Sequence, residues 1–154
     1  MEYLVVKWLH ILSSTFLFGT GIGSAFYMLF TSLTRDARAV AVVVRYVVIA
    51  DWVFTTPTVI FQPLSGFYLM HLAGFSFDMH WIAWSIALYL LAGACWLPVV
   101  WIQIRMREMA RRAAAAGEDL PADYWRYLRY WVALGVVAFC SLVAVFYLMV
   151  AKPG

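Results

Sequence analysis

Charge is what this sequence has least of: only 12% of its 154 residues are Asp, Glu, Lys or Arg, against roughly 25% in a soluble domain. Its two cysteines, Cys95 and Cys140, fall inside apolar stretches at similar depths and read as small core thiols rather than a disulfide. There is no CxxCH, so any haem would be held non-covalently, as haem b. Walker, GxSxG, HExxH and EF-hand patterns are also missing. No internal repeat points to an inverted-repeat transporter, and no helix carries a chain of charges. No Cys or carboxylate stands at zinc-ligand spacing from a histidine except Asp78 beside His80.

What is present is apolar. Hydrophobic residues make up 66% and aromatics 18%, with 8 Trp, and the mean hydropathy is +0.85. A pI near 9.0 would suit a nucleic-acid partner, but the basic residues lie almost wholly at the ends of apolar stretches, which is a membrane pattern. Four such stretches run from Tyr3 to Thr31, Ala39 to about Ala73, Trp81 to Ile104 and Trp131 to Ala151. Each exceeds the roughly 20 residues that cross a hydrocarbon core. In lipid those spans must be helices, because an open strand edge finds no partner. The first could be mistaken for a signal peptide, but it continues through Tyr27-Met28-Leu29-Phe30 and carries Lys7 and His10, so it is expected to be retained. The expectation is an all-α bundle of four transmembrane helices, one integral membrane domain over 1–154, with helices near 3–32, 39–73, 81–116 and 121–151.

Orientation follows from the basic residues. Arg35, Arg38, Arg45, Arg105, Arg107, Arg111, Arg112, Arg126 and Arg129 fall on one side, Lys7 and Lys152 on the other. Nine against two predicts that the arginine-rich connections are cytoplasmic and that both termini face the periplasm of a bacterial inner membrane. The third helix, extended by Ala113 to Ala116 and capped by Gly117, would be roughly 54 Å long and stand proud of the bilayer. Tyr124, Trp125, Tyr127, Tyr130 and Trp131 read as an interfacial belt on the fourth helix, with Trp81 and Trp84 marking the opposite interface. Pro57 and Pro63 should kink the second helix, and the hydroxyls of Thr55-Thr56-Pro57-Thr58 can take up freed backbone groups.

Polar residues inside the spans are the most informative feature, because they are expensive there. Lys7 and His10 share a face of helix 1. Lys7 can snorkel outward, whereas His10 lies roughly 9 Å in from the helix end and needs a partner: a haem iron, a quinone carbonyl or another side chain. His71 and His80 flank the outer 74–80 connection, so all three histidines fall in the outer half, with Met70 and Met79 beside them as possible soft ligands. Asp51 on helix 2 is either a proton relay or half of an ion pair, for which Arg105 is the neighbour at similar depth. Gly19 and Gly23 form a GxxxG pair in a small-residue segment that admits either a packed helix or a flat cofactor.

Lys7-Trp8-Leu9-His10, the Gly19 to Tyr27 segment, Leu88 to Pro98 and the closing Met149 to Pro153 resemble a bacterial family of small integral membrane proteins of unknown function, over the whole chain. More distantly the layout is similar to the HemJ-type protoporphyrinogen oxidases, on Lys7-x-x-His10, a Pro-kinked helix 2, a charged hairpin and the final Lys152-Pro153. That resemblance implies a membrane oxidoreductase with a haem b ligated by His10. The chain departs from it in lacking an arginine-rich end to helix 1 and a lysine at the start of helix 3.

Two functional expectations follow. The first is a haem-b-binding redox protein exchanging electrons with quinone or oxidising a porphyrin-like substrate. His10 and His71 would be its ligands, Lys7 would pair with a propionate, and Gly19 and Gly23 would admit the macrocycle. The second is a cofactor-free membrane scaffold or assembly subunit, forming an oligomer or binding partner helices through helix 1.

Overall fold

The computed structural model describes residues 1–153. Helix α1 spans Glu2–Leu33, α2 Ala37–Ala50, α3 Thr56–Ala73, α4 His80–Ala116 and α5 Ala122–Ala151, and a π-helical turn at Asp51–Thr55 joins α2 to α3. Counting α2, the π turn and α3 as one passage, four helices are long and apolar enough to cross a membrane. Their outer faces carry large apolar side chains such as Trp52, Leu64, Leu90, Leu97 and Val150. A soluble monomer does not show so much contiguous apolar surface. The protein is therefore an all-α, multi-pass membrane bundle embedded in lipid through these helices.

Local chemistry sets where the helices start and stop. Arg35 turns the chain with φ 60°, and Asp36 caps α2 by accepting from the amides of Arg38 at 2.9 Å and Ala39 at 3.3 Å. Gly74 and Gly117 end α3 and α4 in the left-handed conformation, each at φ 68°, which a side chain would resist. The amide of Phe75 then reaches back to the Met70 carbonyl at 3.0 Å, and that of Glu118 to Ala113 at 2.9 Å.

The π turn has a visible cause. Pro57 offers no amide hydrogen and its ring would press on the carbonyl four residues back, so the chain widens just upstream of it. The Asp51 carbonyl accepts the Thr56 amide in the wide turn and also the Thr56 hydroxyl at 2.9 Å. Thr58 donates to the Phe54 carbonyl at 2.7 Å. Pro63 lies within α3 without ending it.

The close-packed core occupies the arginine-rich half, where Met28, Val40, Val44, Ile102, Met106, Tyr124 and Leu128 interlock. There Tyr124 and Ser32 share a buried hydrogen bond of 2.7 Å between α5 and α1. Three residues expected at the lipid interface are in fact interior: Tyr124 and Trp131 fill this core, and Trp81 is buried. Trp81 sits edge-on to Phe75, and the Lys152 ammonium lies 5.3 Å from the Phe75 ring and 5.7 Å from the Trp81 ring. Cys95 is a buried thiol as expected, but Cys140 is exposed on the outer face of α5. Beyond Trp131 that helix is apolar almost all round, so hydropathy could not tell lipid from interior.

The spans do not pack evenly. Helix α4 lies along α5 and α2, while α1 lies along α2 and α3. Helices α1 and α5 touch only sparsely. They meet at Ser32–Tyr124 and again where Phe18 packs on Phe139 and Phe146 at 5.4 and 5.2 Å between ring centroids.

Candidate functional site

Two polar constellations lie inside the bundle. The first joins α1 to α3 in the half that carries the termini. Nδ1 of His10 is 2.6 Å from the Ser65 hydroxyl, which itself lies 2.8 Å from the Phe61 carbonyl. Nε2 of Gln62 donates to the His10 carbonyl at 2.9 Å. Gly66 lies against the ring, and a Cβ there would make an ordinary 3.5 Å contact with Cε1 of His10. Gln62, Ser65 and Gly66 follow one another on α3 at spacings of three and one residues, so they present one face to His10. Nε2 of His10 forms no hydrogen bond among the described residues.

The other expected histidines lie apart from it. His71 and His80 are exposed, and among the described residues no cluster of three or more His, Cys, Asp or Glu is placed to hold a metal ion. Lys7 is exposed, with its ammonium 5.7 Å from the Tyr3 ring. Gly19 and Gly23 face no other part of the chain: nothing lies within 4 Å of where a Cβ would stand on either.

The second constellation surrounds a cavity of about 440 Å³ bounded by all four spans. Its wall is mostly apolar, but Asp51, Gln103, Trp96 and Trp131 also line it. Asp51 is 5% exposed, Gln103 3% and Trp131 6%. The carboxylate accepts from the Thr55 hydroxyl at 2.9 Å through Oδ1, and Gln103 on α4 is its neighbour in the cavity wall. Yet Oδ2 of Asp51, Oε1 of Gln103 and the indole nitrogens of Trp96 and Trp131 are buried with no hydrogen-bond partner among the described residues. Native interiors leave few such atoms unpaired, so four around one cavity form a group. Arg105 is elsewhere: its guanidinium lies 5.2 Å from the Trp101 ring.

The cavity has a side facing the bilayer. Gly21, Ile22 and Phe26 on α1 and Gly135 and Val136 on α5 line it and are also exposed. They occupy the stretch between the two places where those helices touch.

Residues 4–153 match a family model described as a predicted integral membrane protein, DUF2269. The chain belongs to the DUF2269 family. No curated protein and no solved structure matches it. For this DUF2269 member, sequence reasoning singled out His10 and Asp51 but missed the residues that answer them. Ser65 and Gln62 flank Pro63, which marked only a kink, Trp96 entered only within the Leu88 to Pro98 segment, and Gln103 not at all. Gln103 could have been found as an uncharged polar residue still within the third apolar stretch, close to its arginine-rich end. It lies seven residues from Trp96, hence on the same helix face.

Proposed function

We propose that this protein is a membrane subunit that works by associating with further helices in the bilayer, beginning with a second copy of itself through α1. The observation that supports this reading is the unused glycine pair: Gly19 and Gly23, one turn apart on a single face of α1, have nothing else within 4 Å of a Cβ position among the described residues. Small residues in a span let a neighbouring backbone come close, and in lipid that close packing is a main source of helix association. The arginine distribution further supports an inner-membrane setting with the termini in the periplasm. The test is chemical cross-linking in native membranes. Wild type is expected to give a dimer that Gly19→Leu with Gly23→Leu abolishes, while Leu90→Ala on the outer face of α4 leaves it intact. A monomeric wild type, or a dimer indifferent to the leucines, would overturn the reading.

A second reading is a haem b protein with a redox role toward quinone or a porphyrin-like molecule. It draws on His10, whose Nδ1 is engaged by Ser65 while Nε2 has no protein partner. Metal-ligating histidines are commonly oriented through the ring nitrogen that does not bind the metal, so His10 fits the donor role. His71 would supply a second ligand and Lys7 a partner for a propionate. The haem iron would provide the electron chemistry, and the protein its ligation and burial. Ser65 and Gln62 would hold His10 in one orientation.

A further inference from the structure

We propose that the cavity opening between α1 and α5 is a binding site for a membrane-dissolved quinol, entered from the lipid. This goes beyond helix association and uses residues other than His10.

Three observations carry it. The first is the group of unpaired polar atoms. Oδ2 of Asp51 and Oε1 of Gln103 seek donors, whereas the indole N–H groups of Trp96 and Trp131 seek acceptors. Leaving such groups dry and unpaired is costly, so an occupant should offer both hydroxyl protons and carbonyl or hydroxyl oxygens. The head of a quinol does so within one small ring, whereas an oxidised quinone offers acceptors alone.

The second is the sign of the wall. No Lys, Arg or His lines the cavity, and its one charged residue is Asp51. A phosphate or carboxylate head would meet a carboxylate and no cation. An amine could satisfy Asp51 and Gln103 but would leave both indoles unmatched. A neutral oxygenated head matches all four.

The third is access and size. A volume of about 440 Å³ lies in the range of small-ligand pockets, which are mostly apolar with a few placed polar groups. The exposed lining residues Gly21, Ile22, Gly135 and Val136 face lipid between the two α1–α5 contacts. A hydrophobic tail can lie there while the head sits inside. The glycines keep this mouth low-walled, with nothing within 4 Å of a Cβ at Gly21 or Gly135.

The full chain in detergent tests this with decylubiquinone and decylubiquinol as probes and tridecane as a hydrocarbon without the head. Thermal unfolding is followed as each is titrated. Decylubiquinol is expected to raise Tm saturably, decylubiquinone, which can meet only the indoles, to do so less, and tridecane not at all. Trp96→Phe, which removes one N–H and keeps an aromatic side chain, should weaken the apparent Kd about 3- to 10-fold, as loss of one hydrogen bond implies. Asp51→Asn and Gln103→Leu should weaken it as well. Trp84→Phe, at an exposed position outside the cavity, should leave it unchanged. Should Asp51→Asn not fold, Trp96→Phe decides alone. Equal protection by tridecane would mean that the cavity reads only hydrocarbon. No protection at all would mean that water alone satisfies the four atoms. Either result overturns the proposal, as does undiminished affinity in Trp96→Phe.

Discussion

His10 on α1 and Ser65 on α3 share a 2.6 Å hydrogen bond across a helix–helix contact, and the same hydroxyl lies 2.8 Å from the Phe61 carbonyl. A serine hydroxyl has one proton to give. When it goes to Phe61, Nδ1 of His10 must be the donor to Ser65, and the lone pair of the neutral ring is then on Nε2. A ring in that state is ready for an external acceptor role, a metal ion included. On the haem reading, protein purified after haem-supplemented expression should show a Soret band that His10→Ala removes. His71→Ala should shift or weaken the band, and His80→Ala should change it little. Ser65→Ala should keep the band but alter its shape or midpoint potential, because the ring loses its anchor. Full haem content in His10→Ala would sink the ligand assignment, and a colourless wild type would leave association as the working reading.

Orientation can be settled by fusions. Alkaline phosphatase joined after Pro153 should be active, and joined at Gly117 should be silent, following the nine-to-two division of basic residues. The reverse pattern would put the His10 constellation on the cytoplasmic side.

Asp51 and Thr55 form a buried pair within the π turn, 2.9 Å apart. Thr55→Val keeps the shape and removes the donor, so it should cost about 1–3 kcal/mol, the penalty for a buried acceptor left unmatched. Unfolding in mixed micelles measures it. Asp51→Asn separates the two readings of the carboxylate. A structural role predicts a fall in Tm with any cofactor spectrum intact, and a proton-relay role predicts near-normal Tm with turnover suppressed.

Tyr124 and Ser32 close the arginine-rich end between α5 and α1. Ser32 also lies 2.7 Å from the Met28 carbonyl, so its own proton has an alternative acceptor. Tyr124→Phe should therefore cost only about 0.5–1.5 kcal/mol. Tyr124→Ala, which empties a fully buried site, should cost about 3–5 kcal/mol. Comparable losses in the two variants, measured in the same micelles, would show that the hydroxyl rather than the ring carries the contact.

The four spans were legible because length and apolar content leave little choice in a bilayer. Pro57 and the threonines around it marked where helix 2 would yield, since a missing amide is a covalent fact about the chain. The assembly was less legible. That His10 meets Ser65 and Gln62, or that Asp51 meets Gln103, depends on how whole helices cross, and no local pattern encodes a crossing angle. Faces were harder still. Tyr124 and Trp131 look like interfacial aromatics and fill the core, while Cys140 looks like an interior thiol and faces outward. In water an apolar residue announces the inside; in lipid it announces nothing about direction.

The wide turn at Asp51–Thr55 has a consequence for how this chain can change. A π turn accommodates one residue more than the α-helix it interrupts. Deleting one residue between Asp51 and Thr55 would let the passage close to plain α-helix with α3 keeping its face, whereas deleting one from a regular turn of α2 would rotate everything after it by about 100°. Gln62 and Ser65 would swing off His10 although no residue touching it had been altered. The alignment of α3 is thus held by the count of residues in α2, and the wide turn is where the passage can take up a changed length.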